Sequence, residues 1–251
     1  MTDAGARFGI QTQKKSALVA QQIVTEIVAN RLSGGDRLAP EAEMCATYGV
    51  GRSTIREALR LLESQGVVKI KTGPGGGPIL TDFEAGFLAA NMALHLQLSG
   101  ATFRDVMNAR LVIEPAIAGA AAEHRDDATV HDLRIVVEHS HDPAADRHTL
   151  VGQSANFHDI VAAGSGNAFF EYLMLALHRI TEPFAQRLPY EAERRERLVD
   201  DHEAILAAIA EGNRDAAMVA MRADLLEFLD YAEQEVPQLL DEKIDWGRVS
   251  G

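Results

Sequence analysis

The sequence predicts a mostly α-helical protein with two parts: an N-terminal winged helix-turn-helix and a C-terminal all-α antiparallel bundle of six or seven helices. Two observations predict the first part: short helical patterns joined by a glycine-containing turn, and a glycine-rich hairpin pattern after them. A third predicts the bundle, because beyond residue 82 apolar residues recur almost only at helical spacing. We expect a loose N-terminus over 1–15, the winged helix-turn-helix over 16–80, the helical domain over 81–236 and a loose polar tail over 237–251.

The elements of the N-terminal part follow from apolar spacing and turn residues. A first helix is expected from about Ser16 to Arg31, with apolar residues recurring every four positions. A short second helix starts near Pro40, and a third runs from about Ser53 to Gln65 with its apolar side facing inward. Alternation over 67–71 predicts a strand, and the glycine-rich turn over 73–78 returns the chain to form a hairpin wing.

The C-terminal part contains helical patterns separated by short turns rich in glycine, asparagine and proline. Because short loops join antiparallel neighbours, these helices are expected to stack as a bundle. The predicted helices are Phe83–Leu98, Thr102–Glu123, Thr129–Glu138, His148–Ala163, Asn167–Arg187, Glu191–Glu211 and Asp215–Glu235.

Charge is distributed unevenly along the chain. The formal net charge is −13, yet residues 1–80 hold ten Lys/Arg and seven Asp/Glu, while the remainder holds 14 basic and 30 acidic residues. This asymmetry indicates two modules with different partners, of which the basic one can approach phosphates. The single cysteine, Cys45, excludes an internal disulfide and a thiolate zinc cluster, and no apolar run is long enough to span a bilayer. We therefore expect a cytoplasmic protein without membrane association.

Three arginines on the third helix indicate contact with double-stranded DNA. Arg52, Arg56 and Arg60 recur every four residues on one polar face, beside a tight turn and before the wing. An arginine row at the start of such a helix can reach guanine edges or grip phosphates. The alternative is a solvated basic face on an ordinary helix, and the neighbouring turn and wing weigh against it. The predicted DNA contacts are Arg52, Ser53, Thr54, Arg56, Arg60, Lys69, Lys71 and Gly73.

Polar residues on apolar helix faces predict a second site in the C-terminal half. His158, His202 and Asp224 each share a face with apolar neighbours, and a buried carboxylate needs a partner. Two histidines and a carboxylate can hold a divalent transition metal with open positions for water or a carboxylate ligand. Arg110 can clamp an anion from the side. The alternative for each histidine is a hydrogen-bonded core residue without a metal.

The run from Gly49 to Arg60, with Leu62-Glu63 and Gly66-Val67-Val68, resembles the DNA-binding domain of the GntR regulators. The helical remainder is similar to the ligand-sensing domain of the FadR branch, called FCD. The resemblance implies a homodimer that binds a palindromic operator, one winged helix to each half-site. At Ala42 the sequence departs from the family, which usually has an arginine there that contacts bases, so the operator sequence is expected to differ.

The resemblance also implies a ligand set for the metal. Metal-binding FCD members use an Asp and a His four residues apart, then two His on the last helices. Here Ser154 stands in the first position, His158 and His202 match the next two, and Asp224 stands in the last. The set keeps two histidines and one carboxylate, which suits zinc, nickel or manganese. The turn that ends at Asn167 also matches, and Asn167 joins Arg110 as a ligand-binding candidate.

These features predict a ligand-responsive DNA-binding transcription regulator, a repressor, that senses a small carboxylate at a metal site. The alternative is a sensor of acyl-CoA or another ligand without a metal, in which His158 and His202 bind a carboxylate directly. A more distant alternative is a non-haem metalloenzyme. Against it, the sequence contains no Gly-x-Ser-x-Gly nucleophile motif, and the candidate metal ligands follow a predicted DNA-binding domain. We expect that the protein is not an enzyme.

Overall fold

The chain folds into two units, which the computed structural model divides between Phe87 and Leu88. The sequence placed this boundary at 80/81. The structure describes residues 4–73, 76–81, 86–142 and 144–249, with the backbone alone for residues 4–14. None of the helices in these ranges has both the length and the apolarity needed to cross a bilayer.

The first unit is a winged helix-turn-helix, as the sequence predicts. Its elements are α1 (Ala4–Ala29), α2 (Glu41–Tyr48), α3 (Arg52–Ser64), β1 (Val68–Lys71) and β2 (Gly77–Leu80). The two strands pair antiparallel, with Val68 opposite Leu80. Gly49 ends α2 with a φ of 61°, a left-handed conformation that glycine adopts without strain, and this lets α3 start three residues later. The core buries Val19, Ala20, Ile23, Ile27, Met44, Ile55, Ala58, Leu59, Leu62, Val68 and Leu80.

Among its described residues the second unit contains helices joined by turns and one isolated bridge between Thr102 and Lys243, which confirms the predicted all-α class. Seven long helices lie within a few residues of the predicted segments. They are α4 (Gly86–Ser99), α5 (Phe103–His124), α6 (Asp127–Ser140), α7 (Arg147–Gly164), α8 (Ala168–Ala185), α9 (Ala192–Ala210) and α10 (Arg214–Glu235). Residues 82–85, with which the predicted first helix begins, lie outside the described ranges.

Side-chain caps set the starts of these helices. Asp126, Asp146 and Asn213 each accept a hydrogen bond from a backbone N–H in the first turn of α6, α7 and α10. Thr102 and Asp105 form a reciprocal capping box at the start of α5. Because the first N–H groups of a helix have no partner within it, these side chains fix where each helix begins.

Both chain ends differ from the loose segments that the sequence predicts. The backbone of α1 is helical from Ala4, since no proline interrupts the run before Ser16, and Ser16 lies buried inside the helix instead of capping it. Residues 237–249 form two short helices, α11 (Pro237–Leu240) and α12 (Trp246–Val249). Leu239, Leu240 and Ile244 are buried in the core of the second unit, so apolar packing holds a tail whose composition is mostly polar.

Candidate metal centre and nucleic-acid interface

The recognition helix α3 presents a basic polar face opposite a buried apolar one. Arg52, Arg56 and Arg60 are exposed together with Ser53, as the sequence predicts. Thr54 is only 8% exposed because it lies on the buried face of α3. The predicted phosphate contact of Thr54 is therefore not supported by its position.

An ion pair joins the two helices of the motif on this face. The Nε of Arg56 lies 2.9 Å from a carboxylate oxygen of Glu41, in the first turn of α2. The Arg56 side chain is 62% exposed, so its remaining N–H groups face solvent, and Glu41 limits the directions in which the guanidinium can point. Sequence reasoning missed Glu41, because the contact joins residues 15 positions apart and the local sequence pattern does not indicate it.

The wing carries the other predicted DNA contacts. Lys69 and Lys71 are exposed on β1, and Gly73 follows with a φ of 95° in the turn that leaves the strand. Glu63, near the end of α3, accepts a hydrogen bond from the backbone N–H of Ile70. This bond ties β1 of the wing to the recognition helix.

The second candidate site lies inside the helical unit, where three helices bring the predicted ligands together. His158 comes from α7, His202 from α9 and Asp224 from α10, and one ligand atom of each lies within 4.8 Å of the others. The carboxylate of Asp224 is 3.5 Å from Nε2 of His158 and 4.0 Å from Nε2 of His202. Two ligands bound tetrahedrally to one metal at about 2.1 Å stand about 3.4 Å apart, so the spacing suits a shared ion.

His202 supplies the observation that tests this fit. Its side chain is fully buried, and neither ring nitrogen has a hydrogen-bond partner in the described part of the structure. The ring stacks on Phe157 with 4.0 Å between centroids, which leaves the nitrogen edge free to point at the cluster. An unpaired buried imidazole is costly, and a metal bound at Nε2 would satisfy it. The residues present therefore fit a divalent metal.

His158 is oriented by a partner that sequence reasoning missed. Its Nδ1 lies 2.7 Å from a carboxylate oxygen of Glu114 on α5, which leaves Nε2 directed at Asp224. Glu114 is only 2% exposed, and its other oxygen pairs with Arg110 one turn earlier on α5. A carboxylate that holds the far nitrogen of a ligating histidine is a common second partner in metal sites. The spacing of Arg110 and Glu114 was visible in the sequence, but the reach of Glu114 to His158 was not.

The pKa values in this cluster follow from burial and these pairs. Burial lowers the pKa of His202 well below its usual value, and the nearby His158 and Arg194 add to that shift, so its ring is neutral. Burial also acts to lower the pKa of His158, but the carboxylates of Glu114 and Asp224 outweigh it and raise the value. Burial raises the pKa of the Asp224 carboxyl. A neutral His202 is the form that binds a metal.

A neighbouring histidine forms a separate, satisfied group. His178 places Nδ1 2.6 Å from Asp159, and its Nε2 lies 3.4 Å from Arg110. Burial lowers the pKa of His178, so the ring is neutral and each nitrogen has a partner. Although Glu114, His158 and His178 also lie close enough to hold an ion, their nitrogens and oxygens are already paired with one another or with neighbours. We interpret this group as the support of the first cluster.

A cavity of about 50 Å³ opens beside the cluster. Of the predicted residues, Ser154, His158, Asp224 and Arg110 line it, together with Arg194, which sequence reasoning missed. Ser154 lies one turn before His158 on α7 and offers a neutral hydroxyl. Asn167 does not line this cavity. Its side chain instead caps α8 by accepting a hydrogen bond from the backbone N–H of Phe169, so its predicted ligand-binding role is not supported.

Comparisons with known proteins agree with both halves of this arrangement. The profile described as "Bacterial regulatory proteins, gntR family" matches residues 15–76, and the profile described as "FCD domain" matches residues 105–227. The HTH-type transcriptional regulator LutR of Bacillus subtilis (strain 168) is 29% identical over 216 residues, covering 82% of this chain and 97% of the relative. The HTH-type transcriptional repressor NanR of Citrobacter rodentium (strain ICC168) is 25% identical over 226 residues, covering 85% and 83%.

A solved structure supports the fold. A protein described as Streptococcus agalactiae GntR superposes with a TM-score of 0.67 at 23% identity, covering 85% of this chain and 98% of that one. These relatives are transcription regulators and not enzymes, which agrees with the expectation from the sequence. The chain belongs to the GntR family of transcription regulators, with a GntR DNA-binding domain followed by an FCD effector-binding domain.

Proposed function

We propose that the protein is a dimeric repressor that binds a palindromic operator and leaves it when a small carboxylate binds at a metal site in the helical unit. The observation that carries the proposal is the fully buried His202 with two unpartnered ring nitrogens beside His158 and Asp224. The relative NanR is described as a repressor, and we extend that role to this chain as part of the proposal. Because the bacterial chromosome lies in the cytoplasm, this role requires a cytoplasmic protein.

Three side chains of this chain would hold the metal: His158, His202 and Asp224. Glu114 fixes the ring of His158, and Phe157 fixes the ring of His202 by stacking. Ser154, where metal-binding relatives are expected to have an aspartate, leaves a position that a ligand oxygen can take. When bound, zinc, nickel or manganese supplies open coordination positions for a carboxylate oxygen.

The position of the cluster suggests how occupancy reaches other parts of the unit. The three ligands come from α7, α9 and α10, and Glu114 of α5 holds His158, so a ligand that draws these side chains together acts on four helices at once. The response requires that the ligand bind more tightly to one arrangement of the two DNA-binding units than to the other. A ligand with equal affinity for both arrangements leaves the operator occupied.

The first experiment measures the metal content of the purified, untagged full chain by elemental mass spectrometry. We expect about one divalent metal per chain, since three side chains at this spacing complete one site. His202→Ala should lose the metal, whereas His131→Ala, which removes an exposed histidine of α6, should keep it. A wild-type chain without metal after incubation with zinc, manganese and nickel would overturn the metal site.

Metal-free sensing is the competing function, and the cavity argues against its acyl-CoA version. A space of about 50 Å³ is too small for a coenzyme A thioester, and Arg110, Arg194 and Asp224 add charge to a lining that is otherwise mostly apolar. A metal-free site for a small acid stays open, with His158 and His202 binding the carboxylate directly. Release from operator DNA by small acids should disappear after chelation if the metal is required and should persist if it is not.

A further inference from the structure

Arg194 is a buried charged residue to which the proposed function assigns no role. Its side chain on α9 is 2% exposed, and it is among the largest fully buried side chains of the described residues. It lines the cavity beside the metal cluster. In the sequence it stands in the run Ala192–Arg197, whose charges resemble an ordinary solvated helix face, so only the structure draws attention to it.

The surroundings of Arg194 leave part of its hydrogen-bonding capacity unused. The guanidinium carbon lies 5.0 Å from the ring centre of Tyr231, a cation–π contact, and one Nη forms an ion pair with Glu227. Its Nε has no hydrogen-bond partner among the described residues. Glu227 also pairs with Arg197 at 3.2 Å, so one carboxylate serves two guanidinium groups. A buried arginine with a spare N–H and a shared counter-ion can accept a second anion.

Arg110, the anion clamp that the sequence suggests, is bound more completely within the protein. Its Nε pairs with Glu114, one Nη donates to the sulfur of Met107 at 3.7 Å, and the other lies 3.4 Å from His178. Each of its three nitrogens therefore has a partner. Displacing those partners for a ligand would disturb the carboxylate that orients His158.

The spacing along α9 places Arg194 and the metal cluster on one wall. Arg194, Leu198 and His202 recur every four residues, which puts them on one face of the helix over about 12 Å of its length. Arg194, Leu198 and Asp224 all line the cavity. A ligand in this space therefore meets a cationic side chain at one point of the wall and the metal-binding group at another.

We propose that Arg194 anchors the carboxylate of the effector, while a second oxygen of the same molecule binds at the cluster of His158, His202 and Asp224. This inference rests on the proposed sensing of a carboxylate and adds the anchor and the ligand class. The class is a short acid with a second oxygen-bearing group: a hydroxy, oxo or dicarboxylic acid. The small cavity excludes larger acids.

The test uses the metal-loaded full chain and isothermal titration with glycolate and malate, with uncharged glycolamide as the comparison. Arg194→Gln should weaken binding of the best acid by about 10- to 100-fold, the effect of losing a buried hydrogen bond to a charged group. Arg197→Gln is the matched control, because Arg197 shares Glu227 but does not line the cavity. A variant that keeps its metal has kept the fold of the site, so weaker acid binding then reports lost recognition. In the wild type, tighter binding of glycolate than of glycolamide shows that the carboxylate is recognised.

Arg194→Lys covers the case in which the glutamine variant does not fold. It keeps the charge but lacks the planar fork, so we expect about 3- to 10-fold weaker acid binding. Acid affinity equal to wild type in either folded variant would overturn the anchor while leaving carboxylate sensing intact. A wild-type chain that holds metal but binds none of the acids would overturn carboxylate sensing and the anchor with it.

Discussion

At the scale of single residues, Glu114 connects two functions of the buried cluster. One of its oxygens neutralises Arg110 and the other orients His158, and the whole side chain is 2% exposed. Burial acts to raise the pKa of this carboxyl, but the charges of Arg110 and His158 outweigh it and lower the value. The carboxylate is thus ionised at neutral pH, and it pairs with the buried guanidinium of Arg110.

Glu114→Ala should lower the free energy of unfolding by about 3–5 kcal/mol, because it leaves Arg110 buried without its counter-ion. Glu114→Gln keeps the shape and one acceptor, so its loss should be smaller. Urea denaturation of the chelator-treated full chain measures both. Glu123→Ala, at an exposed position of the same helix, is the control and should change stability little. A loss for Glu114→Ala as small as that of the control would mean that the pair is not needed for folding.

The residue scale also shows where sequence reasoning reaches its limit. His158, His202 and Asp224 could be found because each interrupts an apolar helical face. Glu114, Arg194 and Glu41 could not, since their roles depend on partners many residues away or on packing between helices. Thr54 and Asn167 show the converse: their residue types suit DNA or ligand contacts, but the structure buries one and uses the other to cap a helix.

At the scale of elements, side-chain caps explain why the helix boundaries were predictable. The α6 helix begins after Asp126, whose carboxylate accepts hydrogen bonds from both the backbone N–H and the hydroxyl of Thr129. These hydrogen bonds lower the pKa of Asp126. Sequence placed the start of this helix within two residues. The packed tail was not predictable in this way, because its apolar residues are few and scattered and only tertiary contact orders them.

Asp126→Ala should reduce the free energy of unfolding by about 1 kcal/mol at neutral pH, the usual effect of losing an N-cap. Because the pKa is lower in the folded state, the cap stabilises above the unfolded value of about 3.9 and loses this effect as pH falls through the folded value. The difference between wild type and variant should therefore shrink below about pH 4. Asp127→Ala, one residue on and exposed, should show no such convergence in parallel denaturation series.

At the scale of the whole molecule, the uneven distribution of charge along the chain predicted two units with different partners. The structure divides the chain into two units close to the point where the net charge changes from basic to acidic. Residues 1–80 are net basic although the chain is net acidic, and α3 and β1 expose arginines and lysines. The fold class followed from hydrophobic periodicity because each helix buries one face. The number of chains on the operator does not follow from one sequence, since it depends on contacts between copies.

The salt dependence of operator binding can report that number. Each phosphate contact contributes about 0.9 to the slope of log affinity against log salt on duplex DNA. Lys69→Ala should therefore reduce the slope by about 1.8 if two chains occupy the palindrome and by about 0.9 if one does. It should weaken binding to operator and unrelated DNA alike, since a wing lysine that grips phosphate reads no base. Arg179→Ala, an exposed cation of the helical unit, is the charge-matched control. An unchanged slope for Lys69→Ala would show that the wing does not contact the DNA backbone at this residue.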